Sequence, residues 1–80
     1  MITEREQKLI REVLNMVDYQ MVARETNYSF PTINNIVNRI TALNDKNVVC
    51  FIALLQRAVS KLKKQQKYQD ELQKSLNQIK

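Results

Sequence analysis

The amino-acid sequence predicts an all-α protein: a head of three short helices followed by one long C-terminal helix that pairs in a dimer. Three observations predict it. The 80 residues include no Gly and one Pro, so the residues that build tight turns and break helices are nearly absent. Apolar residues recur every three or four positions, the period of a helix rather than of a strand. Helix-capping side chains stand at Thr3, Asp18, Ser29 and Asp45, dividing the apolar runs into four segments. A chain of this length makes one small domain. Its head is expected over residues 1–43 and its long helix over 44–80.

The first helix opens on a capping box, Thr3-Glu4-Arg5-Glu6, in which Thr3 accepts the Glu6 amide and Glu6 returns to Thr3. Leu9, Ile10, Val13, Leu14 and Val17 give it an apolar face that predicts a helix to about Val17. Asp18 then caps the second helix, which ends near Thr26. Asn27-Tyr28-Ser29 is the turn, because Asn is the residue that best replaces Gly in a left-handed conformation. Ser29 caps the third helix, and Pro31 falls in its first turn, where a missing N–H costs nothing. Ile33, Ile36 and Val37 are its buried stripe, and it is expected to run to about Leu43. Asn44-Asp45 is the last break, with Asp45 as cap.

From Lys46 onward no breaker occurs. Val48, Phe51, Leu55, Ala58, Leu62, Gln65, Gln69, Leu72, Leu76 and Ile79 alternate by three and four, an a/d heptad pattern with two glutamines in the middle. The VVCFIALL segment is expected to pack on the head. The stripe Leu55, Leu62, Leu72, Leu76 and Ile79 is expected to join two copies, with Gln65 and Gln69 fixing the register. A short chain buries a limited core alone, which also favours oligomerisation.

Charge is uneven. The net charge of +5 arises entirely after residue 40. Residues 1–40 hold five basic and five acidic side chains, whereas residues 41–80 hold eight basic and three acidic. A basic balance suits a polyanion, and a solvated basic helix face is the plainer use of the same lysines. His is absent and Cys50 is the only cysteine, so no intramolecular disulfide or zinc finger is available and no metal or cofactor is expected. No residues assemble a nucleophile with a base or a Gly-rich phosphate loop, so catalysis is not expected. The N-terminus lacks the order of a signal peptide and no apolar run approaches a membrane span, so a reducing cytoplasm is expected.

The segment Tyr19 to Asn38 carries the functional signal. Val22 and the small Ala23 lie on the second helix, Asn27 at the turn, Ser29 at the cap, and Ile33, Ile36 and Val37 on the inner face of the third. That order and spacing resembles the helix-turn-helix of lactose-repressor-type and Cro-like phage or plasmid repressors, over about a quarter of the chain. The resemblance implies double-stranded DNA as partner. It implies base-reading positions at Phe30, Pro31 and Asn35, and phosphate-facing positions at Ser29, Thr32 and Asn34. The chain departs from the family at Asn27, where Gly is usual, and at Thr26, where an apolar residue is common. Pro31 cannot hydrogen-bond a base edge. No effector domain follows the motif, so no small-molecule effector is implied.

The outward residues support the same chemistry directly. Asn bonds bidentately to adenine, and a Phe or Pro edge suits a thymine methyl, so Asn34, Asn35 and Asn38 lean towards an A·T-rich site. Arg39 and Lys46 stand where they can reach phosphates, which positions a protein without reading sequence. Lys61, Lys63, Lys64 and Lys67 add affinity only if the long helix runs near the DNA. The expected function is a dimeric DNA-binding regulator of the small phage or mobile-element repressor type, reading a palindrome. Two alternatives stay open: a terminase-like or excisionase-like DNA-handling factor, and a helical protein-interaction module.

Overall fold

A computed structural model describes residues 4–39, 42 and 44–79. It is all-helical: α1 spans Glu4–Val13, α2 Met16–Thr26, α3 Phe30–Asn38 and α4 Val48–Ile79. No strand occurs among the described residues. Thr3, and with it the expected first capping box, lies outside them.

The first helix ends earlier than its apolar period suggests. Leu14 N donates to Ile10 O at 2.8 Å, and the chain then breaks at Asn15. The Asn15 side chain accepts from the amides of Val17 and Asp18 at 3.0 and 3.2 Å, while Asp18 Oδ2 accepts from Asn15 N at 2.9 Å. This reciprocal box starts α2 at Met16. Asp18 is therefore the third residue of α2, and Asn15 is the cap. Leu14 keeps its place in the core, but Val17 is 64% exposed and Leu9 50%, so neither belongs to the buried face assigned from the sequence.

The turn between α2 and α3 follows expectation. Asn27 has φ 59° and ψ 22°, the one positive φ among the described residues. Ser29 is extended and its hydroxyl accepts from Thr32 N at 3.3 Å. Asn27→Gly is expected to be neutral or mildly stabilising, since Gly adopts this conformation freely. Asn27→Val is expected to cost about 1–2 kcal/mol because its branched Cβ clashes there. Equal melting temperatures for both variants and the parent would show that the turn does not impose this φ in solution.

The third helix is shorter than expected. It closes at Asn38, with Arg39 extended and its amide donating to Asn35 O at 2.9 Å. Ala42 is not helical, and Leu43 lies outside the described residues. Side chains of α1 take up the carbonyls left over at this end. Gln7 Nε2 donates to Ile36 O at 2.9 Å and to Arg39 O at 2.6 Å. Arg11 donates to Val37 O at 2.8 Å.

The last break is built by two asparagines rather than by Asp45. Asn44 Oδ1 accepts from the amides of Lys46 and Asn47 at 2.8 and 3.1 Å, and Asn47 Oδ1 accepts from Asn44 N at 2.9 Å. Asp45 and Lys46 are exposed turn residues, and α4 begins at Val48.

One core joins all four helices. Ile10 and Leu14 come from the α1 end, Val22 from α2, Ile33, Ile36 and Val37 from α3, and Cys50, Phe51, Leu54 and Ala58 from α4. Ala23 is partly buried against this core. Burial pushes the Cys50 thiol up to about 11, as suits a small apolar core residue. The inward face of α4 thus differs from the heptad stripe. Leu54 takes the place that the pattern gave to Leu55, which is exposed. From Leu62 to Ile79 every residue of α4 is exposed. Its 32 residues extend about 48 Å, nearly the 52 Å long axis of the molecule.

Candidate nucleic-acid interface

The corner of α2 and α3 presents one face of α3 to solvent. Ile33, Ile36 and Val37 are turned inward and almost fully buried. Pro31, Thr32, Asn34, Asn35, Asn38 and Arg39 are exposed. Phe30, expected to face outward, is half-buried, so only part of its ring edge is presented. The face is ordered internally. Asn38 Nδ2 donates to the Asn34 carbonyl at 3.1 Å and to its side-chain oxygen at 2.8 Å. The hydroxyls of Ser29 and Thr32 lie 2.8 Å apart in a hydrogen bond. These bonds tie together side chains one turn apart on the exposed face.

The two cations expected to meet phosphate sit at opposite ends of this helix. Arg39 follows its last residue. Lys46 belongs to the turn before α4, yet Tyr28 donates its hydroxyl proton to the Lys46 carbonyl. That bond holds the turn beside the start of α3. Nine residues separate the ends, about 13 Å. Asn35 faces solvent between them.

The basic residues of α4 divide. Arg57 Nε donates to Asp18 Oδ1 at 2.8 Å, and Lys61 Nζ to Asp18 Oδ2 at 2.7 Å. Asp18 is 7% exposed. Burial by itself would raise its pKa, but hydrogen bonds from Lys61, the Asn15 amide and Arg57 outweigh that and lower it to about 2. Arg57 also lies 4.0 Å from Glu25. Lys61 therefore fastens α4 to α2, its ammonium engaged by Asp18 rather than standing on a solvated basic face. Lys63, Lys64 and Lys67 are exposed beyond it.

The residues assigned to oligomerisation are all exposed, from Leu55 through Leu62, Leu72 and Leu76 to Ile79. Ile52 and Val59 extend the apolar surface beside the head. The heptad pattern missed them because Phe51 and Ala58 occupy the neighbouring d positions, although for Ile52 the apolar run Val48–Leu55 held the signal. Also missed were Gln7 and Arg11, whose contacts with α3 join residues 26 to 32 positions apart and leave no local trace.

Among the described residues no group of three His, Cys, Asp or Glu side chains could hold a metal ion. None of their helices is long and apolar enough to cross a membrane. No protein-family model, curated protein or solved structure matches the chain.

Proposed function

We propose that this chain is a sequence-specific DNA-binding regulator of the small phage or mobile-element repressor type, acting as a homodimer on a palindromic site. The observation that carries the reading is the α2–α3 corner. A left-handed Asn27 and a Ser29-capped α3 set an exposed, asparagine-rich face outside a fully packed inner one, which supports reading the pair as a helix-turn-helix. In this reading α3 lies in the major groove. Asn35 reads an adenine bidentately, and Pro31 with the open edge of Phe30 meets a thymine methyl. Ser29, Thr32 and Asn34 face the backbone at the helix start, Asn38 supports Asn34, and Arg39 and Lys46 hold phosphates on either side. The head carries no surplus charge, so specificity rests on the asparagines more than on bulk attraction. Neither metal nor cofactor has a role, and a reducing cytoplasm suits the single thiol.

Selection of bound duplexes from a random pool tests the proposal. Enrichment of an inverted repeat with A·T-containing half-sites is the expected result. A pool that stays random at physiological salt would favour the protein-interaction alternative, for which the bare apolar face of α4 is the supporting observation. On the enriched site, Asn35→Ala is expected to cost about 1–3 kcal/mol and to relax preference at one base pair. Equal loss on specific and random DNA would remove Asn35 from the reading set.

A further inference from the structure

We propose that two copies of the chain pair antiparallel through α4, crossing near Lys67, so that the distal part of each helix covers the apolar face beside the other's head. This rests on the dimeric reading above and gives it a geometry.

The two halves of α4 need different partners. Beside the head, Phe51 and Ala58 are turned into the core, so only the outer side of the helix remains. There Ile52, Leu55, Val59 and Leu62 form a continuous patch, each between 36% and 51% exposed. The distal half has no head to pack on, and Leu72, Leu76 and Ile79 reach 46–84% exposure. The exposed apolar residues beside the head and those of the distal half can therefore cover each other between two copies. A two-fold axis satisfies both at once, since each contact then occurs twice.

Register and charge select the crossing point. A two-fold axis at Lys67 sets Leu62 opposite Leu72 of the second copy and Gln65 opposite its Gln69. It sets Leu55 opposite Ile79 and, because Ala58 is turned into its own head, leaves Leu76 beside the exposed Val59. Along the exposed stripe from Leu62 to Leu72 each a position thereby meets a d position, and the two glutamine layers coincide, where their amides can hydrogen-bond to each other across the seam. The same axis brings Lys63 and Lys64 level with Glu71 and Asp70 of the second copy. Parallel pairing would instead set the two basic blocks Lys63, Lys64 and Lys67 level with each other on the outer faces of the pair, concentrating like charge at one end of the distal segment. The antiparallel arrangement also separates the heads. Their attachment points at Leu54 would stand about 40 Å apart along the helices, on the order of the ~34–36 Å between successive major-groove faces of B-DNA.

Spin-label distances test the orientation on the full chain. Cys50 is fully buried, and Cys50→Ala leaves the introduced thiol as the only one. One nitroxide is placed at Lys67→Cys and, in a second protein, at Gln78→Cys; both positions are exposed and outside the seam. Antiparallel pairing gives a separation under about 30 Å at 67, and about 35 Å or more at 78, because eleven residues on each side of the axis add about 33 Å. Separations under about 25 Å at 78 would mean parallel pairing and would overturn the proposal while leaving the dimer intact. No dipolar coupling at either position, with a monomer in sedimentation, would overturn the dimer itself and the orientation with it.

Discussion

Asp18→Ala is expected to lower the stability of the fold by about 3 kcal/mol, toward the lower end of what breaking a buried ion pair costs. The discount reflects Arg57 and Lys61, whose side chains are each 29% exposed and regain some hydration. Three groups lose their acceptor together: the Asn15 amide at the start of α2, and the guanidinium and ammonium of α4. The variant thus weakens a helix start and the docking of α4 in one step. Asp18→Asn keeps the shape and an acceptor oxygen but not the charge, so a smaller loss is expected. Denaturant melts of the three proteins check the order. A loss under about 0.5 kcal/mol for Asp18→Ala would assign the cluster the small value of a surface pair.

The same carboxylate sets an acid limb. Its native pKa lies near 2 against a usual 3.8, so the unfolded chain takes up this proton first as pH falls. The stabilisation is complete above the usual carboxylate range and is lost between about pH 5 and pH 2, for a contribution of about 2 kcal/mol. Asp18→Asn should flatten that part of the stability profile. An unchanged slope would assign the acid sensitivity to the other carboxylates.

What the sequence made legible was local. Asn27 and Ser29 act within three residues of themselves, so the turn and the start of α3 could be read from residue type. The all-helical class followed from period and the lack of breakers. The first break was misplaced because the apolar period runs on through Val17, and periodicity does not report where a side chain competes for backbone amides. Asn15 does so, and Asn44 and Asn47 repeat the device before α4. The outward face of α3 was legible because its inward face was so regular, with only Phe30 more buried than expected. Contacts spanning the chain were not. Asp18 looked like a cap, and nothing near it in sequence points to Arg57 and Lys61, 39 and 43 residues away. The inward face of α4 failed for a related reason: VVCFIALL is apolar on every side, so the period cannot say which residues meet the head and which stay outside.

Truncation after Lys64 is expected to separate folding from assembly. The last side chain of α4 that meets the head is Lys61, and every residue beyond it is exposed. The shortened chain keeps Cys50, Phe51, Leu54 and Ala58 in the core and the Asp18 cluster whole, so its melting temperature at low concentration should be close to that of the isolated parent subunit. It loses Leu72, Leu76 and Ile79, and with them the surface proposed to cover Leu55, Val59 and Leu62 of a second copy. A monomer or weak dimer is the expected species in sedimentation. Affinity for a two-half-site duplex should then fall on the order of 100-fold or more, because each head loses the effective concentration its partner supplied. Affinity for a single half-site should change little. The segment removed contains Lys67, Lys74 and Lys80 together with Asp70 and Glu71, a net change of one charge, so lost attraction to phosphate should be a minor part of the drop. Repeating the titrations at several salt concentrations separates the two causes: a lost tether leaves the salt dependence per head unaltered, whereas lost phosphate contacts reduce it. An unchanged dimer after truncation would put the interface in the patch from Ile52 to Leu62 or on the head itself, and α4 beyond Lys64 would then have no part in joining the two copies.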